Sequence, residues 1–175
     1  RDDANLYLNN SIDLLFDYIK PLFNLNQKSY DIYGHSAGAQ FVHRYLLFSN
    51  KPKVNRAVAA NAGWYTFLDG SNFPYGINNP PIEFNSQNVI NFLKMDLHIH
   101  IGSEDTDVSS SVNQSKGANN QGLNRFQRAN NFFGYTTKIV EENDLNYNWS
   151  FLVVDGVDHS NSRMSKAAAK VIFVN

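Results

Sequence analysis

The chain has 175 residues, 42% of them hydrophobic and 14% aromatic, enough to fill one sizeable core but not two. Fifteen basic against sixteen acidic side chains leave a net charge of -1, so no broad positive field exists to recruit nucleic acid or anionic lipid. Cysteine is absent, which removes disulfides, thiolate catalysis and thiolate metal sites together, and no apolar run reaches the length of a membrane span.

Arg1-Asp2-Asp3 looks neither like a signal peptide nor like a translation start, so the N-terminus reads as cut. Asp2 or Asp3 is placed to cap a first helix whose apolar positions Leu8, Ile12, Leu15, Ile19 and Leu22 recur every three or four residues, with Pro21 near its end. A short strand follows from Ser29 to Tyr33. Helical spacing then runs from Ala37 to Phe48, with Ala37, Phe41, Tyr45 and Phe48 on one face. Asn55 to Ala60 reads as a second strand, and "DLHIHI" from Asp96 to Ile101 alternates as a third.

Between these two strands lies a lid-like aromatic loop over 61–95, carrying Trp64, Tyr65, Phe67, Phe73 and Tyr75 and stiffened by Pro74, Pro80 and Pro81. The segment from Ser109 to Gly122 is expected to be a solvated loop. A long helix is expected from about Leu123 to Glu142 on Leu123, Phe126, Phe133 and Val140, weakened at Gly134. "WSFLVV" from Trp149 to Val154 is the fourth strand, and a final helix starts near Asn161 and Ser162 and ends near Phe173. Strands alternating with helices call for right-handed crossovers, giving one α/β domain over 1–175: three α/β/α layers around a mostly parallel sheet.

In such a sheet, ligands gather beyond the carboxyl ends of the strands, where residues from separate loops can meet. "YGHSAGAQ" puts Ser36 at a strand-to-helix turn between Gly34 and Gly38, small residues that let strand and helix approach. The free N–H groups of the following helix, Ala37 first, would face an oxyanion formed there. A serine needs a base, and an imidazole needs a carboxylate to fix its tautomer. His159 in "DGVDHS" follows the fourth strand; Glu104, Asp105 and Asp107 in "IGSEDTDV" follow the third.

Other residues carry weaker signals. His35 lies inside the turn, where a side chain packs away from the reacting centre; with Trp64 and Tyr65 it is a candidate to touch substrate. His98 and His100 point to one face of a strand and could chelate zinc, but no third ligand is evident, so hydrogen-bonded core histidines are expected and no metal. His43 reads as helix surface and Asp158 as solvated. Sequons at Asn9, Asn113 and Asn148 would matter only in a eukaryotic secretory route, and the compartment stays open.

"GHSAG", "GSEDTDV" and "GVDHS" together resemble the α/β-hydrolase superfamily over nearly the whole chain. "NAGWYTF", "FPYG" and "GLNRFQRANNFF" are similar to polyhydroxyalkanoate depolymerases and related bacterial esterases. The resemblance implies Ser36 as nucleophile, Asp105 (three residues after Gly102) as triad acid with Asp107 next, His159 as base and the Ala37 N–H as one oxyanion donor. It implies a carboxylic ester, small or polymeric, as substrate and no cofactor. It also implies several strands ahead of the nucleophile, so a missing N-terminal segment or a partner chain is expected to complete the sheet. The alternatives are a non-catalytic binding domain of the same fold and an inactive fragment.

Overall fold

The computed structural model describes residues 3–109 and 111–173, and side chains from residue 11 onward. The expected cap at Asp2 therefore lies outside the described residues, as do the side chains of Asp3, Leu8 and Asn9. The order is α1 (Asp3–Leu22), β1 (Tyr30–His35), α2 (Ala37–Phe48), β2 (Val54–Ala60), α3 (Ser86–Lys94), β3 (Asp96–Gly102), α4 (Lys116–Asn119), α5 (Arg125–Asn143), β4 (Trp149–Val154) and α6 (Asn161–Phe173). Among these residues no helix is long and apolar enough to cross a membrane.

The four strands pair in parallel in the order β1-β2-β3-β4. The sheet grows in one direction, so right-handed crossovers put α2, α3 and α5 on one face. There Ala57, Ala59, Leu97, Ile99 and Ile101 meet Leu46, Leu93 and Phe132 in the main core. α6 returns across the other face, where Met164 packs with Ala60 and Val157. The three-layer α/β architecture is as the sequence predicts, and the register His35, Ala60, His100, Leu152 brings the strand ends to one rim.

Four expectations are corrected. Leu15 and Leu22 of α1 are exposed; Ile12 packs on the core as expected, joined by Phe16, and Asp13, which accepts from the Tyr30 hydroxyl at 2.8 Å and the Lys53 N–H at 3.1 Å, sets which face turns inward. The last third of the 61–95 loop is α3, started by Asn85, whose side chain accepts from Gln87 N–H, while the Asn88 side chain accepts from Asn85 N–H. Leu123 is 60% exposed just ahead of α5; the inward stripe is Arg125, Arg128, Ala129, Phe132, Thr136 and Val140. The 109–122 segment is not wholly solvated: Val112, Ala118 and Gln121 are buried. The enclosed Arg128 guanidinium donates to the carbonyls of Gly63, Asn113 and Gly122 at 2.7, 2.9 and 2.8 Å, which gives a buried charge the partners it requires.

The inward face of α2 holds Tyr45 and Phe48 as expected but differs at its start. Ala37 is exposed at the rim, whereas Ala39, Val42, His43 and Leu46 are buried, because the chain after β2 folds down over the helix. Phe73 and Phe84 lie 5.7 and 5.2 Å from Phe48 between ring centres. His43 is a core residue, not helix surface: Thr66 N–H donates to Nε2 at 3.1 Å and Nδ1 lies 2.9 Å from Ala39 O, which fixes the neutral tautomer with the proton on Nδ1. Burial, with the nearby Arg44 charge, holds its pKa down at about 3.

Candidate active site

Ser36 sits between β1 and α2 with φ 57° and ψ -115°, backbone that L-residues rarely adopt. Its own N–H donates to Ala60 O at 2.9 Å, which pins the turn to β2. Gly34 has a steric role: a Cβ there would stand 2.3 Å from the Gly38 carbonyl oxygen. Gly38 has none, since a Cβ would meet nothing within 4 Å, correcting the expectation that both glycines are needed for close approach. The Ser36 hydroxyl makes no capping bond to α2 and is directed elsewhere. The N–H groups of Ala37 and its neighbours open the helix and have no intrahelical acceptor.

Beyond β4, the loop over 155–160 brings His159 Nε2 to 3.0 Å from Ser36 Oγ. His159 Nδ1 lies 2.7 Å from Asp105 Oδ2. A carboxylate only accepts, so Nδ1 carries the proton, and the Nε2 lone pair is left to receive the serine hydroxyl. Asp105 is 2% exposed, and its other oxygen accepts from Arg125 Nη1 at 3.2 Å. Arg125 also donates from Nη2 to Ser111 O at 3.0 Å. Three residues separated by 123 positions of chain thus form one hydrogen-bonded line, ending in a buried ion pair.

The remaining candidates fall differently. Glu104 is exposed, and Asp107 turns outward, where Ser109 and Ser111 hydrogen bonds hold its carboxyl down at about 2. His35 does not pack away from this site: its ring centre is 4.7 Å from that of His159. Burial, then the His159 charge, lowers the His35 pKa to about 4, so it stands as a neutral ring. Trp64 is nearly buried, with the Arg44 guanidinium 4.5 Å from its ring centre. Tyr65 is 0% exposed and stacked on Phe132 at 4.5 Å, so as placed here it has no surface to offer a ligand.

His98 Nδ1 lies 2.5 Å from Ser150 Oγ and its Nε2 3.0 Å from Asp96 Oδ1. His100 is buried with Nδ1 unpartnered among the described residues, and burial holds its pKa at about 4. No group of three or more His, Asp or Glu among those residues could hold a metal ion. Asp158 is exposed, as expected. Arg125 was not singled out in the sequence; its only local signal is its place just after Asn124, whose side chain caps α5 by accepting from Gln127 N–H at 2.9 Å.

No protein-family model matches the chain, and no curated protein matches it in sequence. Solved structures do. Poly(aspartic acid) hydrolase-1 from Sphingomonas sp. KT-1 superposes with a TM-score of 0.85 at 34% identity, covering 91% of this chain and 60% of that one. The poly(3-hydroxybutyrate) depolymerase LpqC from Bordetella parapertussis superposes at 0.87 with 25% identity, covering 94% and 56%. A siderophore hydrolase from Aspergillus nidulans, 14% identical with a TM-score of 0.52, shares the fold. The chain therefore spans 60% and 56% of the length of the first two structures.

Proposed function

We propose that this chain, an α/β-hydrolase by fold, is a serine hydrolase that cleaves a carboxylic ester through an acyl-enzyme. The observation that carries the reading is the line from Ser36 Oγ to His159 Nε2 at 3.0 Å and from His159 Nδ1 to Asp105 Oδ2 at 2.7 Å. Ser36 Oγ attacks the carbonyl carbon while its proton passes to His159 Nε2. The Asp105 carboxylate holds the imidazole in its tautomer and offsets the charge it gains. The Ala37 N–H, at the positive end of α2, donates to the oxyanion. As the tetrahedral intermediate collapses, the alcohol leaves with the proton from His159; water, deprotonated by the same ring, then releases the acid.

The ester assignment is supported by the name of the depolymerase that covers 94% of this chain. A second reading is favoured by the higher identity, 34%, to a protein named for poly(aspartic acid): the bond cleaved would be an amide, with the same three residues in the same roles. His35, whose ring centre is 4.7 Å from that of His159, is the side chain that would border the bound acyl group.

A fluorophosphonate probe tests the shared part of both readings. Labelling of wild type and none of Ser36→Ala is the expected result; equal labelling of both would overturn the role of Ser36. Titration of acid released from poly(3-hydroxybutyrate) and amine released from poly(aspartic acid) then decides between ester and amide.

A further inference from the structure

Asn61 opens the chain after β2, fully buried and in left-handed backbone with φ 52°. Its N–H donates to His100 O at 2.9 Å, continuing the sheet by one bond. Its side chain joins two other segments, which the Glu104 N–H also ties directly by donating to Val157 O at 2.9 Å. Oδ1 accepts the Gly102 N–H at 3.0 Å, and Nδ2 donates to the Asp158 carbonyl at 3.0 Å. One partner can only donate and the other only accept, so the orientation of the amide is fixed.

Gly102 lies three residues before Asp105, whose N–H turns back to Gly102 O at 3.2 Å, and Asp158 directly precedes His159. The residue before Asn61, Ala60, accepts the Ser36 N–H at 2.9 Å. Gly102 completes the junction from below: a Cβ there would stand 2.1 Å from Val157 O, so only glycine lets the His159 loop settle this close to β3. Asparagine suits the position because it tolerates left-handed backbone and offers one donor and one acceptor on a short stem.

We infer that Asn61 is a positioning residue of the site, holding the His159 loop and the Asp105 turn in register with Ser36 through the two ends of a single amide; the inference rests on the serine-hydrolase reading for its kinetic consequence. The Nδ2 arm matters most, since it fixes the main chain one residue from the imidazole. Displacements of about 1 Å at a reacting group lower rates by about a hundredfold.

Two variants test it. Asn61→Asp keeps the shape and the acceptor for Gly102 but sets oxygen against the Asp158 carbonyl; Asn61→Gly removes both arms and is at ease at this φ. For a small aryl ester, kcat per folded molecule is expected to fall by about 10- to 100-fold in both, with KM within about twofold. The low-field proton resonance of His159 Nδ1–H is expected to shift or broaden in both. A merely structural residue would lower the melting temperature and leave kcat per folded molecule and the resonance alone, which would overturn the inference. If wild type fails to label with fluorophosphonate, the hydrolase reading falls, while the resonance, which needs no turnover, still decides the role of Asn61.

Discussion

The turn that carries Ser36 and the loop that carries His159 face each other at 3.0 Å but are held in opposite ways. The first is fixed mainly locally: a strand, a glycine that lets Gly38 O come within 2.3 Å of its absent Cβ, and a helix all lie within a few residues, with one remote tie from the Ser36 N–H to Ala60 O. The second is fixed from afar, by Asn61, by Gly102 under Val157 O, and by Asp105, which Arg125 holds in turn. Local holding leaves a motif in the sequence. Remote holding leaves single residues whose partners lie 20 to 97 positions away.

Substitutions can break this contrast at either end. Ser36→Ala or His159→Ala should have the largest effect, lowering ester turnover on the order of 10^4-fold with little change in stability, as read by turnover per folded molecule and thermal melting. Arg125→Met should be next: it strips the ion pair from a buried carboxylate and is expected to destabilise by about 3–5 kcal/mol in denaturant titration; an unchanged midpoint would show that Asp105 is held by His159 alone.

Gly34→Ala should come third, destabilising by about 1–3 kcal/mol through overpacking against Gly38, whereas Gly38→Ala should stabilise by up to about 1 kcal/mol, because alanine meets open space and favours the helix. A destabilised Gly38→Ala protein would refute that asymmetry. A separate effect is on pH. His43 and His100 are neutral in the fold, with pKa values lowered to about 3 and about 4. The unfolded chain takes up their protons below about 6.5, so their contribution is complete above that value and is lost as pH falls toward 4 and then 3. Melting temperatures measured from pH 7 to 4 should therefore decline, and a flat profile would count against buried neutral rings.

The sequence was most readable where periodicity and local punctuation coincide. α2 runs from Ala37 to Phe48 and β4 from Trp149 to Val154, as expected, because apolar spacing and strand-forming residues act over neighbouring positions. Following strand ends to the rim leads to Ser36, His159 and the acidic group Glu104, Asp105 and Asp107; the choice of Asp105 among the three comes from the family resemblance. What stayed hidden depends on tertiary partners. α3 was masked by an Asn- and Pro-rich approach, and its cap at Asn85 looks like one more loop asparagine. His43 reads as surface until the Thr66 N–H is seen to cover it, and Tyr65 reads as a lining residue until Phe132 closes over it. Asn61 sits in an asparagine-rich chain with nothing local to distinguish it.

On the proposed serine-hydrolase reading, the backbone of Ser36, at φ 57° and ψ -115°, sets thermal endurance against chemistry at a single position. Glycine would occupy those angles freely, relieving on the order of 1–3 kcal/mol of strain, so Ser36→Gly should melt higher than the parent while doing nothing to a substrate. A screen that rewards heat tolerance alone would discard the hydroxyl first.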